Sequence, residues 1–495
     1  MTGDFGNAEN GPSFDVVVWN AQAAVEGLDQ KERHERLGTD RIIRSKTMKL
    51  SRKISAGLMC TGILASIALT SAVAAEPSKV WNRLSTEDRE FLDKVQRRAF
   101  DYFWDGFDPV TGLIGDEARG RRTSIANSGF GLSAYCIGVE RGWVMRQEVY
   151  DRVLITLNSY FKNPDDENDL CVEGNFGLFY HFINVDTGKR HRRSEVSTID
   201  SALLMAGILH VMTYFEGTEV EELATKIYAN AQWDKYTNRR GAITGGWKPP
   251  EENWENPEYK GFNEYSLVYL IGMGSPTHPL PESSWDAYSS GNGFEWLKPY
   301  SDIGAFKTPQ GIMQPHAYLY QFPACWYDFR NRKDTYANYW EVSVNALKAN
   351  RRYTQNWGSM VGYSEELWGW TACAGPNGYV GFSKPYNGTL APSAVIASLP
   401  FLPEESLRSA KYMFKTYGDK IWGKYGFVDS FNPHQDWYHD GYIGIDKGNE
   451  VLMVENFRSE GVWRTFMKNP FVQKGFEKAK FRFTRLKAKR DGKDV

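Results

Sequence analysis

The chain reads as an all-α protein, an (α/α)6 barrel in which a toroid of six inner and six outer helices forms a single domain with small β-hairpin or loop insertions. Three observations predict this. Segments of helical period follow one another from Leu84 almost to the end of the chain. They alternate between runs that are apolar on nearly every side and runs apolar along one stripe, which is what an inner and an outer layer require. No β-period recurs between them, which argues against an α/β barrel or a sandwich.

The elements follow in order. Ser85-Thr86-Glu87-Asp88 caps a first helix running to about Trp104, with Phe91, Val95, Phe100 and Phe103 on its apolar side. Helices over 124–139 and 145–161 come next, and the Gly-rich stretch 171–188 predicts a hairpin. A run at 197–214 pairs with one at 220–232, whose acidic opening suits a helix N-terminus. The run at 263–273 passes through SPTHPLPESSW into a short helix at 282–288. Runs at 315–329 and 336–353 pair, as do 392–399 with 404–417 and 448–457 with 461–467. No low-complexity linker divides them, so one domain spans 80–485.

Composition narrows the function. Lys+Arg number 59 against Asp+Glu 61, which excludes a basic nucleic-acid surface and an acidic tail. Aromatic residues make up 15% of the chain, and most fill the core; an excess of this kind also suits a cleft where sugar rings stack on indole and phenol. Lys49, Arg52 and Lys53 precede an apolar run from Ile54 to about Thr70, and Ala72-Val73-Ala74 is a small-residue cleavage site. Residues 48–75 therefore read as a signal peptide, too short and too broken by Gly57, Ser66 and Thr70 for a membrane anchor. Residues 1–47 read as an unstructured upstream extension or the product of a misplaced start, and 486–495 as a solvated basic tail. The expected product is periplasmic or secreted, off the membrane once the signal is cleaved, without nucleic acid, and a monomer. Cys136, Cys171, Cys325 and Cys373 lack metal or redox spacing and read as free thiols. The histidines show no zinc spacing, and there is no P-loop, dinucleotide fingerprint or serine elbow. No metal and no cofactor is expected.

Four apolar runs open on acids: Asp200 in TIDSALLMAGIL, Glu264 in GFNEYSLVYLIGM, Glu365 and Glu366 in YSEELWGW, and Asp446 in IGIDKGNEVLMVEN. In a ring of parallel inner helices these starts converge on one mouth, where positive helix ends favour the charged carboxylates. Glycosidic hydrolysis needs one protonated carboxyl near the leaving oxygen and one carboxylate to activate water or attack carbon. Glu264 is set apart because Asn263 is better suited to the capping role. Asp446 lies between glycines, which would let it approach a ligand closely. Trp368 and Trp370 could form a sugar platform, and a Glu455–Arg458 pair on one helix face reads as structural.

The strings EVSTIDSALLMAGIL, GFNEYSLVYLIGMGSPTHPLP, GYSEELWGWTACAGPNGY, GTLAPSAVIASLPFLPEESL, YGFVDSFNP and IGIDKGNEVLMVENFRS, in this order, closely resemble the bacterial glucoamylase-like domain. Its characterised members are β-1,2-glucanases, including those of glycoside hydrolase family 144. The resemblance covers about Leu84 to Phe481. It implies the (α/α)6 barrel and an inverting glycoside hydrolase acting on β-1,2-glucan, with Glu264 at the general-acid position and Asp446 at the general-base position. Asp200 matches an acid of the substrate cleft. Glu195, Glu365, Trp368, Trp370, His316, Trp437 and Arg458 complete the expected substrate-binding set. Internal cleavage is the leading expectation; an exo-acting, sophorose-releasing hydrolase, a β-1,2-glucosyl transferase and a non-catalytic glucan-binding protein are the alternatives. Loops 165–192 and 286–313 are expected to decide between internal and terminal cutting.

Overall fold

Helices succeed one another along the chain as α1 (Thr86–Asp105), α2 (Ile125–Glu140), α3 (Arg146–Tyr160), α4 (Thr198–Tyr214), α5 (Glu219–Asn230), α6 (Ser266–Gly274) and α7 (Glu282–Ser289). They continue as α8 (Tyr318–Trp326), α9 (Tyr339–Ser359), α10 (Pro392–Ile396), α11 (Pro403–Ile421), α12 (Gly444–Ser459), α13 (Gly461–Phe466) and α14 (Pro470–Lys478). The computed structural model describes residues 76–484, apart from 118–119, 162–170, 253–255, 259–260, 290–293, 310–314 and 382–384. The expected leader and basic tail lie outside the described residues.

Local chemistry starts these helices. The hydroxyls of Ser85, Ser124 and Ser197 accept from the backbone N–H groups of Asp88, Ala126 and Asp200, and Asn338 does the same for Glu341. Pro392 and Pro403 occupy first helical positions, where a missing N–H costs nothing.

The even-numbered helices α2 to α12 form the inner ring. In α4, Thr198 and every residue from Asp200 to Met212 are buried, whereas the outer helix α11 buries Ser406, Ser409, Ala410, Met413 and Ile421 along one stripe. Around the ring α2 packs on α4, α4 on α6, α6 on α8, α10 on α12, and α12 on α2. The remaining joint, α8 to α10, is made by Gln321, whose amide donates to the Ala394 carbonyl at 2.8 Å and the Ser398 hydroxyl at 2.9 Å. The tightest contact is α2 against α4: a Cβ on Gly129 would lie 2.2 Å from the Leu203 carbonyl oxygen, so the backbones approach only because that atom is missing. The outer helices α1, α5, α7, α9 and α11 lie against α12, α4, α6, α8 and α10, and α3 bridges α2 and α5.

Short α13 closes the end of the ring where the inner helices finish, touching α2, α4, α8 and α12, and α14 lies on α6. Behind the ring Cys136, Glu140, His210, Tyr214, Glu455 and Arg464 line a cavity of about 260 Å³, on the side away from the inner-helix starts.

Two expectations change. The 171–188 stretch forms a tight hairpin only at Gly174–Asn175 with Leu178–Phe179; Phe182–Asn184 turns away to pair with Arg122–Ser124. The YSEELWGW segment forms turns and coil rather than a helix start. Among the described residues no helix is long and apolar enough to cross a membrane, and Cys136, Cys325 and Cys373 are buried free thiols.

Candidate active site

The inner-helix starts are tied to one another by polar side chains. Ser197 donates to Asp200 Oδ2 at 2.6 Å, and Ser124, the cap of α2, donates to Asp200 Oδ1 at 3.3 Å. The loop before α2 supplies Asp116, which takes Arg122 at 2.8 Å and the Asn127 amide at 3.4 Å, while its carbonyl accepts from the Gly444 N–H at the head of α12. Asp446, in the first turn of α12, accepts from Ser393 of α10 at 3.2 Å. Gly448 has a packing role here: a Cβ on it would lie 2.2 Å from Phe130, so the glycine that was expected to favour ligand approach seats α12 on α2 instead.

His181 organises one side of this mouth. Its Nδ1 lies 3.0 Å from Glu195 Oε1 and its Nε2 3.5 Å from Asp200 Oδ1. Burial works against the charged imidazole, but Asp200 and Glu195 prevail and raise its pKa to about 9. Burial likewise opposes the Glu195 carboxylate, and the His181 hydrogen bond and charge hold it at about 2. At neutral pH these two form a charged pair. Glu264 lies in the turn two residues ahead of α6, its carbonyl accepting from the Leu267 N–H, while the side chain that accepts a turn N–H, that of Tyr265 at 2.8 Å, is Asn263. Burial and then the negative charge of Asp200 push Glu264 up to about 8, and His181 offsets only part of this. The expected preference for ionised acids at helix starts fails at Glu264, because desolvation and a like charge outweigh a partial helix charge.

Asp446 departs from that expectation more strongly. It is buried, and burial followed by the carboxylate of Asp429 pushes its pKa well up. Asp429 is equally buried; its Oδ2 accepts the Ala374 N–H at 2.7 Å and the Ser430 hydroxyl at 3.3 Å. The two sides of the mouth are electrostatically continuous. Asp116 acts on His181 and, with Asp429 and Asp446, on the phenol of Tyr379, which is half exposed. Asp116, His181, Tyr379 and Asp429 were absent from the expected set. The string YGFVDSFNP did contain Asp429; His181 and Asp116 sit in aperiodic loops and carry no pattern.

The remaining expected residues divide. Trp437 is half-buried, in a strand pair directly after Asp429, stacked on His439 with ring centroids 5.9 Å apart. His316 is buried beside Trp370, with ring centroids 4.3 Å apart, and burial lowers its pKa to about 4, so it is neutral. Trp368 is 0% exposed and Trp370 5%, so Trp368 offers no open face for a sugar and Trp370 is packed among His316, Tyr353 and Tyr386. Glu365 is exposed on a turn, and neighbouring Glu366 pairs with Arg408 of α11 at 2.8 Å. Arg458 lies at the opposite end of α12 from Asp446, roughly 18 Å away along the helix. It pairs with Asp93 and covers Trp81 at 4.2 Å, which removes it from the mouth. The Glu455–Arg458 pair does not form either: Glu455 takes Gln96 at 3.0 Å and lies 3.3 Å from Arg141.

Comparison with known proteins agrees with this architecture. Residues 256–470 match the family model described as "Putative glucoamylase". The solved "putative glucoamylase" of Bacteroides uniformis is 30% identical, with a TM-score of 0.73, covering 81% of this chain and 98% of that one. The endo-β-1,2-glucanase of Chitinophaga pinensis, solved with sophorotriose and glucose, is 26% identical with a TM-score of 0.73, covering 81% of this chain and 100% of that one. An exo β-1,2-glucooligosaccharide sophorohydrolase acting at the non-reducing end, from Parabacteroides distasonis, is 28% identical over 429 residues, or 79% of this chain. The chain spans 58% of that curated relative's length. By its barrel, its acidic mouth and these likenesses, the chain belongs to the glucoamylase-like family.

Proposed function

We propose that this chain is a glycoside hydrolase that cuts β-1,2-linked glucan within the chain and with inversion, with Glu264 as general acid and Asp446 as general base. The observation that carries this reading is the raised pKa of Glu264, about 8, in a mouth lined by other acids. A carboxyl held neutral at pH 7 can donate its proton to the departing glycosidic oxygen. Asp446 takes a proton from the water that attacks the anomeric carbon. The charged His181–Glu195 pair and Asp200 offer hydrogen-bonding groups for sugar hydroxyls. The chain acts after export, its leader being the segment 48–75.

A second reading rests on the sophorohydrolase relative: release of disaccharide from a chain end. One experiment decides both. Reducing-end release is measured in the exported fraction on linear β-1,2-, β-1,3-, β-1,6- and α-1,4-glucans, with products followed over time. Internal cutting yields mixed oligomers early on the β-1,2-glucan alone, whereas end cutting yields sophorose alone. Hydrolysis of only the α-1,4-glucan would overturn the substrate assignment, and tight binding without any product would make this a glucan-binding protein.

A further inference from the structure

We infer that Asp429 and Asp446 form a carboxyl dyad holding one proton between Asp429 Oδ1 and Asp446 Oδ2, with Asp429 the positioning residue that keeps Asp446 oriented and ready to accept the proton of water. The inference deepens the proposed hydrolase and rests on that reading for its catalytic meaning.

The geometry leaves each carboxyl half satisfied. Asp429 Oδ2 is held by the Ala374 N–H and the Ser430 hydroxyl, and Asp446 Oδ1 by the Ser393 hydroxyl. The other two oxygens, Asp429 Oδ1 and Asp446 Oδ2, are buried and meet no donor. The two side chains lie within hydrogen-bonding reach of each other, and the contact adds to the upward shift of Asp446. Each unpartnered oxygen would be costly by itself, and one proton between them satisfies both.

Among the described residues the surroundings supply no competing cation. On α12, Lys447 Nζ is spent on Glu450, 2.8 Å from both carboxyl oxygens, and on the Phe427 carbonyl at 2.6 Å. Glu450 itself acts on Asp446 as a further negative charge. From the facing loops come Cys373 and Tyr379, and Asp116 reaches the same region through Tyr379. Among the described residues neither Asp429 nor Asp446 has an ion pair. Two touching carboxyls under these conditions titrate together, and the dianion is strongly disfavoured.

The proton count closes. With the shared proton on Asp429, Asp446 is the carboxylate, and Oδ1 takes a proton from water as the water oxygen bonds to the anomeric carbon. The glycosidic C–O bond breaks, and its oxygen takes the proton of Glu264. The dyad is then neutral and Glu264 charged. Loss of one proton from the dyad to solvent and gain of one by Glu264 restores the start.

The test compares wild type with Asp429→Asn and Asp429→Ala, reading both activity and melting temperature against pH. The side-chain amide introduced by Asp429→Asn can still donate to Asp446 without adding a charge. The acid limb of kcat/KM on β-1,2-glucan should therefore stay close to wild type in Asp429→Asn, because Asp429 is protonated and uncharged in the working form, and move about one pH unit or more to higher pH in Asp429→Ala, which takes away the donor to the Asp446 carboxylate. The kcat of Asp429→Asn should recover at least about tenfold over Asp429→Ala, with KM little changed. The Asp429→Asn protein should also melt higher than wild type at alkaline pH, the difference fading toward pH 4. If both variants lose the same factor at every pH and the melting difference is flat, Asp429 is a structural residue and the dyad is refuted. The melting readout needs no substrate, so it decides the dyad even if the glucanase reading fails, and Asp429→Asn suffices if Asp429→Ala does not fold.

Discussion

Glu264 shows how the surroundings of a side chain set its protonation. In sequence it is one acid among 61 acidic residues, and an ordinary glutamate would be ionised at neutral pH and unable to donate. Folding leaves it only partly exposed and beside Asp200, and its pKa rises to about 8. Glu264→Gln keeps the shape and removes the proton donor. Turnover should fall by at least about a hundredfold, while the melting temperature stays level or rises, because a partly desolvated ionisable group is gone. Near-normal turnover of that variant would take the acid role from Glu264. At this scale the sequence exposed Glu264, Asp200 and Asp446 because each stands at the head of an apolar run. It hid His181, Asp116 and Asp429, which lie in loops where no period marks them. It also misplaced Arg458 and Trp368, since closeness along a helix or to a carboxylate says nothing of which end or which layer a side chain meets.

At the level of elements, the mouth depends on how closely the inner helices approach. Helix α12 carries Asp446 in its first turn and rests on Phe130 of α2 through Gly448. Gly448→Ala puts a methyl 2.2 Å from the Phe130 ring, which is sterically impossible without movement. The expected cost is about 1–3 kcal/mol of stability, read by denaturant unfolding, with a drop in kcat as Asp446 shifts relative to Ser393. Unchanged stability and activity would mean that α12 is not seated in this way. The alternation of fully buried and striped helices was legible beforehand, because layer position dictates how many faces of a helix must be apolar. The YSEELWGW segment misled for a related reason: acids before an apolar run resemble a helix start, but here the run is buried as coil against α10 and α8.

The molecule as a whole carries several groups titrating between weakly acidic and alkaline pH. Glu264, at about 8, and Glu450, at about 7, are raised above the ordinary 4.5, and His181, at about 9, above 6.5. For each of these the contribution to stability is full below the ordinary value and disappears as pH rises through the folded value. Glu195, held at about 2, works the other way and loses its contribution as pH falls below 4.5. The melting temperature should therefore be highest near pH 4.5 and decline from there toward pH 9, more steeply above pH 6.5 where His181 joins the two glutamates. A profile that rises from pH 6 to 9 would contradict this set of buried groups.

Hydrophobic periodicity alone determined that this chain is a double ring of helices, since a helix must cover its apolar faces and the number of those faces fixes its layer. It also marked which carboxyl groups begin the inner runs. Which of them keep a proton was decided only by the folded molecule. Protonation depends on dielectric and on neighbours brought together from distant parts of the chain, as Asp446 is with Asp429 across a connecting loop and Glu264 with Asp200 across two helices.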